Sequence, residues 1–125
     1  MKTIVLTAND ARGLESEMGQ HFGRCPYYVI ARVNGAQQVE ATEIRENPYA
    51  EQHAPGQVPQ FIHSLGADAI ISSGMGHKAI AWFEQVGVEV ATGSSGQVGA
   101  TLQAYLNGEI RGAAGCAHGH GESQE

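Results

Sequence analysis

Hydrophobic and polar positions change style along this chain. In the first half the apolar residues are continuous or alternate. Residues 3–7 (Thr-Ile-Val-Leu-Thr) are β-branched and apolar on both faces, which predicts a buried strand. Residues 26–33 are strand material too, with Pro26 at the strand's first position, where a missing N–H is tolerated. Asn34-Gly35 signals a two-residue hairpin turn, and residues 39–44 alternate as the returning strand. Residues 8–23, carrying Asn9-Asp10, Gly13 and Gly19, show no apolar period and read as a long loop. A second loop runs from Asn47-Pro48 to Pro55-Gly56. The second half is helical in period. Val58, Phe61, Ile62 and Leu65 stop at Gly66; Ile80, Phe83 and Val86 stop at Gly87. From about Gln97, Val98, Thr101, Leu102, Tyr105 and Leu106 share one face and stop at Asn107-Gly108. A glycine after each apolar stripe is helix C-cap chemistry. Residues 67–72 and 88–91 follow the first two helices as short strands.

The predicted order is therefore β-β-β-α-β-α-β-α. A strand–helix–strand unit makes its two strands parallel neighbours with a right-handed crossover. The simplest assembly is one mixed five-stranded sheet, order 3-2-1-4-5, with the second strand antiparallel and helices on its faces. That α/β arrangement resembles the ribonuclease H-like fold. Residues 1–110 form this domain. Residues 111–125, glycine-rich and almost without large apolar side chains, read as a flexible tail.

Composition narrows the function. At 125 residues the chain suits a single core, and its net charge of −6 argues against a nucleic-acid partner, which needs clustered Lys and Arg. The apolar run after Met1-Lys2 is too brief for a signal peptide, and no stretch approaches a membrane span. A cytoplasmic protein is expected, in which Cys25 and Cys116 serve as ligands more readily than as a bridge.

The topology gathers candidate chemistry at one sheet edge. Ligands in open α/β sheets settle at the carboxyl ends of the strands. There the sequence places His21, Cys25, His53 and His77. His21-Phe22-Gly23-Arg24-Cys25-Pro26 sets an imidazole and a thiol four apart, both suited to soft metals and iron–sulfur clusters. A turn with buried Phe22 and a small apolar Cys fits the same residues. Ser73-Gly74-Met75-Gly76-His77 joins a strand to a helix start, where glycines admit close approach and the helix dipole favours an anion. An ordinary tight turn with Met75 filling a gap is the other reading. Gly93-Ser94-Ser95-Gly96 repeats the arrangement one strand along, with Ser95 or Gly96 as the expected cap. With no guest to offset its ordering entropy, the loop of residues 10–19 is expected to be poorly ordered, as are residues 112–125.

In the tail, Cys116, His118 and His120 form a Cys-x-His-x-His tract able to take zinc, nickel or copper loosely. Nuclease chemistry is disfavoured: Asp10 lies past the first strand and Asp68 at the wrong end of the fourth. No nucleophile elbow or dinucleotide fingerprint appears.

His21-Phe22-Gly23-Arg24-Cys25-Pro26-Tyr27-Tyr28 together with Ser73-Gly74-Met75-Gly76, ahead of a Cys/His tail, resembles the dinitrogenase iron–molybdenum cofactor biosynthesis family over about residues 1–110. The resemblance implies non-catalytic binding or transfer of an iron–sulfur or iron–molybdenum type cluster by a carrier or assembly protein. Its partners would be the cluster itself and cluster-assembly or acceptor proteins. Carried over by position, the contacts are His21, Cys25, Gly74, Met75, Gly76 and His77, with Ser73 beginning the glycine turn where the family commonly has Gly. Relatives often carry Ala where this chain has Cys25. Two other classes stay open: a mononuclear metal-binding or sensing module built on the tail, and a plain interaction domain.

Overall fold

The computed structural model describes residues 1–19, 22–49, 57–93 and 96–109. Five strands, β1 (Lys2–Ala8), β2 (Tyr27–Val33), β3 (Val39–Glu46), β4 (Ala69–Ile71) and β5 (Glu89–Ala91), form one sheet in the order β3-β2-β1-β4-β5. The helices are α1 (Gln57–Ser64), α2 (His77–Gln85) and α3 (Val98–Leu106). β2 runs antiparallel to β1 from Lys2↔Val33 to Ala8↔Tyr27, while β1, β4 and β5 are mutually parallel. This is the mixed sheet expected from the sequence, and it fits the ribonuclease H-like arrangement.

Alternation across β1 explains why the strand is apolar on both faces. Ile4, Leu6 and Ala8 face a core closed by α3, through Val98, Leu102 and Tyr105. Val5 faces a second core with Tyr28, Ile30, Ile70 and Val90, covered by α1 and α2 through Val58, Ile62 and Phe83. Each fully buried Ile, Leu or Val contributes about 1.5–3 kcal/mol of transfer free energy. α2 and α3 both end in the paired bonds of a Schellman cap. Val88 N donates to Phe83 O and Gly87 N to Glu84 O; Glu109 N donates to Ala104 O and Gly108 N to Tyr105 O. Gly87 and Gly108 supply the required left-handed backbone, at φ 80° and 82°.

Two local expectations are corrected. The hairpin after β2 is not a two-residue Asn-Gly turn. Asn34 sits one place earlier, its Oδ1 accepting from Ala36 N and Gln38 N, and the positive φ falls on Gln37 at 64°. Asn34 N also donates to Gln38 O, closing a three-residue loop. An Asx side chain that caps its own turn favours this register over one with positive φ at the asparagine itself. The segment after β1 is likewise no loose loop. Asn9 N donates to Glu17 O, Met18 N to Gly96 O and Val98 N to Ser16 O, with a short 3₁₀ turn at Gly13–Glu15. Ser16 and Met18 are buried, so this strap is stitched to the start of α3 by backbone bonds.

Candidate functional site at the carboxyl edge of the sheet

The edge holding the ends of β1, β4 and β5 also holds the start of β2 and the end of β3, because Ala8 pairs with Tyr27 and Tyr27 with Glu46. Of the residues singled out in the sequence, Cys25, Ser73, Gly74, Met75, Gly76 and His77 are described, and all lie at this edge. His21, Cys116, His118 and His120 lie outside the described residues, as does His53. His63, on α1, instead meets Trp82 edge-on across the α1–α2 surface, ring centroids 5.9 Å apart.

The turn before β2 is built inward. Phe22 is buried and meets Phe83 of α2 edge-on at 5.5 Å, which joins this turn to the helix that follows the glycine turn. The Tyr28 hydroxyl donates to Phe22 O at 2.8 Å. Cys25 is 3% exposed, and its thiol lies against Phe22 O and Tyr27 O. Gly19 closes over it: a Cβ at residue 19 would fall 2.7 Å from Cys25 Cβ. Burial pushes the Cys25 thiol up to about 11 and raises the neighbouring Tyr28 phenol as well. In this arrangement burial favours the protonated form of the Cys25 thiol.

The turn after β4 is built outward. The Ser72 hydroxyl donates to Gly74 O, and Gly93 N donates to Ser73 O, fixing the backbone between β4 and α2. Met75 is half-buried against the α1–α2 core, so it fills space as well as facing the edge. Gly76 is the N-cap of α2, at φ −74° and ψ 162°, and a Cβ there would meet nothing within 4 Å. Neither backbone angle nor crowding within the fold demands a glycine at that position. His77 and Lys78 are exposed, and the first turn of α2 carries no acidic residue.

The neighbouring turn before α3 is different. Its N-cap is Gln97, neither Ser95 nor Gly96, and Val98 N is taken by Ser16 O of the strap. A Cβ on Gly99 would stand 3.0 Å from Leu14 O, so the strap sits directly on the helix start. The two equivalent anion-friendly helix starts expected from the sequence thus differ: at α3 the strap takes the first amide, and at α2 it does not.

The sequence reading missed Asn47. It is 4% exposed; its Nδ2 donates to Cys25 O at 2.8 Å and Gly23 O at 3.2 Å, and its Oδ1 accepts from Tyr49 N. An Asn before Pro signals only a turn; its reach to a segment more than twenty residues earlier exists only in the fold. Among the described residues, no three His, Cys, Asp or Glu side chains converge as a metal site, and no helix is long and apolar enough to cross a membrane.

Comparisons with known proteins agree with this fold. Residues 1–108 match the family model described as dinitrogenase iron-molybdenum cofactor. The crystal structure of the protein PH0822 is similar at a TM-score of 0.77 and 32% identity, over 88% of this chain and 95% of that one. The apo form of the orange protein from Desulfovibrio gigas is similar at 0.75 and 26%, over 91% and 94%. An uncharacterised protein of Methanocaldococcus jannaschii is 27% identical over 97 residues, 76% of this chain and 81% of its own length.

Proposed function

The chain belongs to the dinitrogenase iron-molybdenum cofactor family, and from that premise we propose that it binds and hands on an anionic metal–sulfur cluster without turning over a substrate. The cluster, of iron–sulfur or iron–molybdenum type, is cargo. Its seat is the carboxyl edge, at residues 73–77. The observation that carries this reading is Gly76, a glycine whose backbone is ordinary and whose missing side chain opens onto empty space at a helix N-cap. A guest approaching there meets the positive end of α2. The first bond accepted by Gly76 O comes from Ile80 N, so the amides of Lys78 and Ala79 have no acceptor within the helix. Lys78 adds positive charge at a position where a helix alone would favour acidic residues.

His77 and His21 are the side chains assigned to the metal, because neutral imidazole binds and releases without a large proton cost. Cys25 takes a lesser part. Its thiol is buried and Gly19 closes over it, so it ligates only if the turn opens. Acceptor and assembly proteins are the partners this role requires. The similar orange-protein structure is an apo form, which accords with a fold that stands without its guest.

Anaerobic reconstitution with iron and sulfide tests the proposal, comparing the full chain with one truncated after Ala114. Equal visible absorption in both is the expected result. Metal uptake without cluster absorption, abolished by the truncation, would move metal binding to Cys116, His118 and His120, the mononuclear alternative.

A further inference from the structure

We propose that Asn47 is the positioning residue of the turn at residues 22–26, which follows His21 in the sequence. The inference rests on the binding role proposed for His21, but its geometry stands alone. Four carbonyls of five consecutive residues are held from outside the turn. Gly23 O and Cys25 O accept from Asn47 Nδ2, Pro26 O from Asn47 N, and Phe22 O from the Tyr28 hydroxyl. Three of the four are held by one residue. Asn47 is itself fixed, since its Oδ1 accepts from Tyr49 N and its backbone follows directly on β3.

The choice of side chain follows from the demand. Two carbonyls that converge in a buried place need a neutral group with two N–H donors and an acceptor on its other side. A primary amide offers that set on a short stem; Asp offers no donor when ionised, and Ser only one. Losing the donors leaves the buried Cys25 O and the part-buried Gly23 O without these partners, which opens the turn in preference to the sheet below it. Glu46 is paired with Tyr27 in the last rung of β2–β3, so the clamp continues the ladder by one residue beyond the strand.

The thiol of Cys25 reports on this clamp without any cluster, because it is buried within the turn that Asn47 holds. The experiment uses the full chain carrying Cys116→Ser, so that Cys25 is the one thiol able to react. Labelling by dithionitrobenzoate is followed in this background and in Asn47→Asp and Asn47→Ala. Tyr105→Phe, at the opposite edge, serves as the control for general loss of stability. Each variant is labelled at the same interval below its own Tm. Labelling at least tenfold faster in both Asn47 variants, with Tyr105→Phe unchanged, is the expected result. Rates in the Asn47 variants no faster than in Tyr105→Phe would overturn the assignment. A second arm measures cluster retention after reconstitution with iron and sulfide in the otherwise unaltered chain, where the Asn47 variants should retain at most a third of the wild-type cluster. If the wild-type chain takes up no cluster, the functional reading fails while the thiol arm still decides the clamp.

Discussion

Gly19→Ala isolates the contact that ties the strap to the turn before β2. The added methyl would lie 2.7 Å from Cys25 Cβ, 3.2 Å from Thr7 Cβ and 3.3 Å from Ala8 N. None of these atoms is the far end of a flexible side chain. Two are Cβ atoms fixed to backbone and the third is backbone of the central strand, so relief requires the strap to lift. Overpacking of this kind costs about 1–3 kcal/mol. Lifting also strains the pair that holds residue 19 down, Gly19 N to Thr7 O and the Thr7 hydroxyl to Gly19 O, both at 3.1 Å. Weakening one of them adds about 1 kcal/mol. The expected loss is about 2–4 kcal/mol, which lowers Tm by roughly 10 °C in a domain of this size. Urea unfolding reads the loss as a shift of midpoint at unchanged slope. A double-mutant cycle with Cys25→Gly, which removes the opposing Cβ, should recover at least about 1 kcal/mol of it. A Gly19→Ala protein within about 0.5 kcal/mol of wild type, or a cycle with no coupling, would refute the reasoning.

Other outcomes follow from the same structure. His21→Ala should reduce cluster retention after anaerobic gel filtration more than Cys25→Ala does; full retention by His21→Ala would contradict the assignment of the imidazole. Tyr105→Phe removes the hydroxyl that accepts from Lys2 Nζ at 2.8 Å and donates to Glu89 Oε1 at 2.6 Å. Because Lys2 and Glu89 are partly exposed, the loss should be about 1 kcal/mol by urea unfolding, with the cluster edge untouched. The buried Cys25 thiol makes the apo protein alkali-sensitive. Its proton is held more tightly in the folded chain, near 11 against an ordinary 9.0, so its contribution is complete below about pH 9 and is lost as pH rises toward 11. Stability measured across that window should fall by about 2–3 kcal/mol more in wild type than in Cys25→Ala, and equal slopes would refute it.

The sheet order was legible because its signals are local and redundant. Gly66, Gly87 and Gly108 each stop an apolar stripe, and residues 3–7 are apolar on both faces as a central strand must be. The strap was not legible. Its cohesion comes from backbone bonds between Ser16, Met18, Gly96 and Val98, and backbone groups leave no mark in the pattern of side chains. For the same reason the sequences before α2 and α3 look alike, although the strap takes Val98 N at the start of α3 and makes no such bond at α2. Cys25 shows the limit for side chains. A thiol beside a histidine has the composition of a ligand pair, and only the fold reveals Gly19 and Tyr28 holding it inside.

If an anionic cluster seats at the N-cap of α2, Gly76→Asp should displace it. Asp is among the best N-cap residues, and the extended backbone and open space at position 76 accept it. Its carboxylate would occupy the place assigned to the anion and repel a negatively charged guest. One substitution should give opposite responses: a Tm equal to or slightly above wild type, and loss of most of the cluster taken up on anaerobic reconstitution with iron and sulfide. Wild-type cluster occupancy in Gly76→Asp would show that the cluster seats elsewhere.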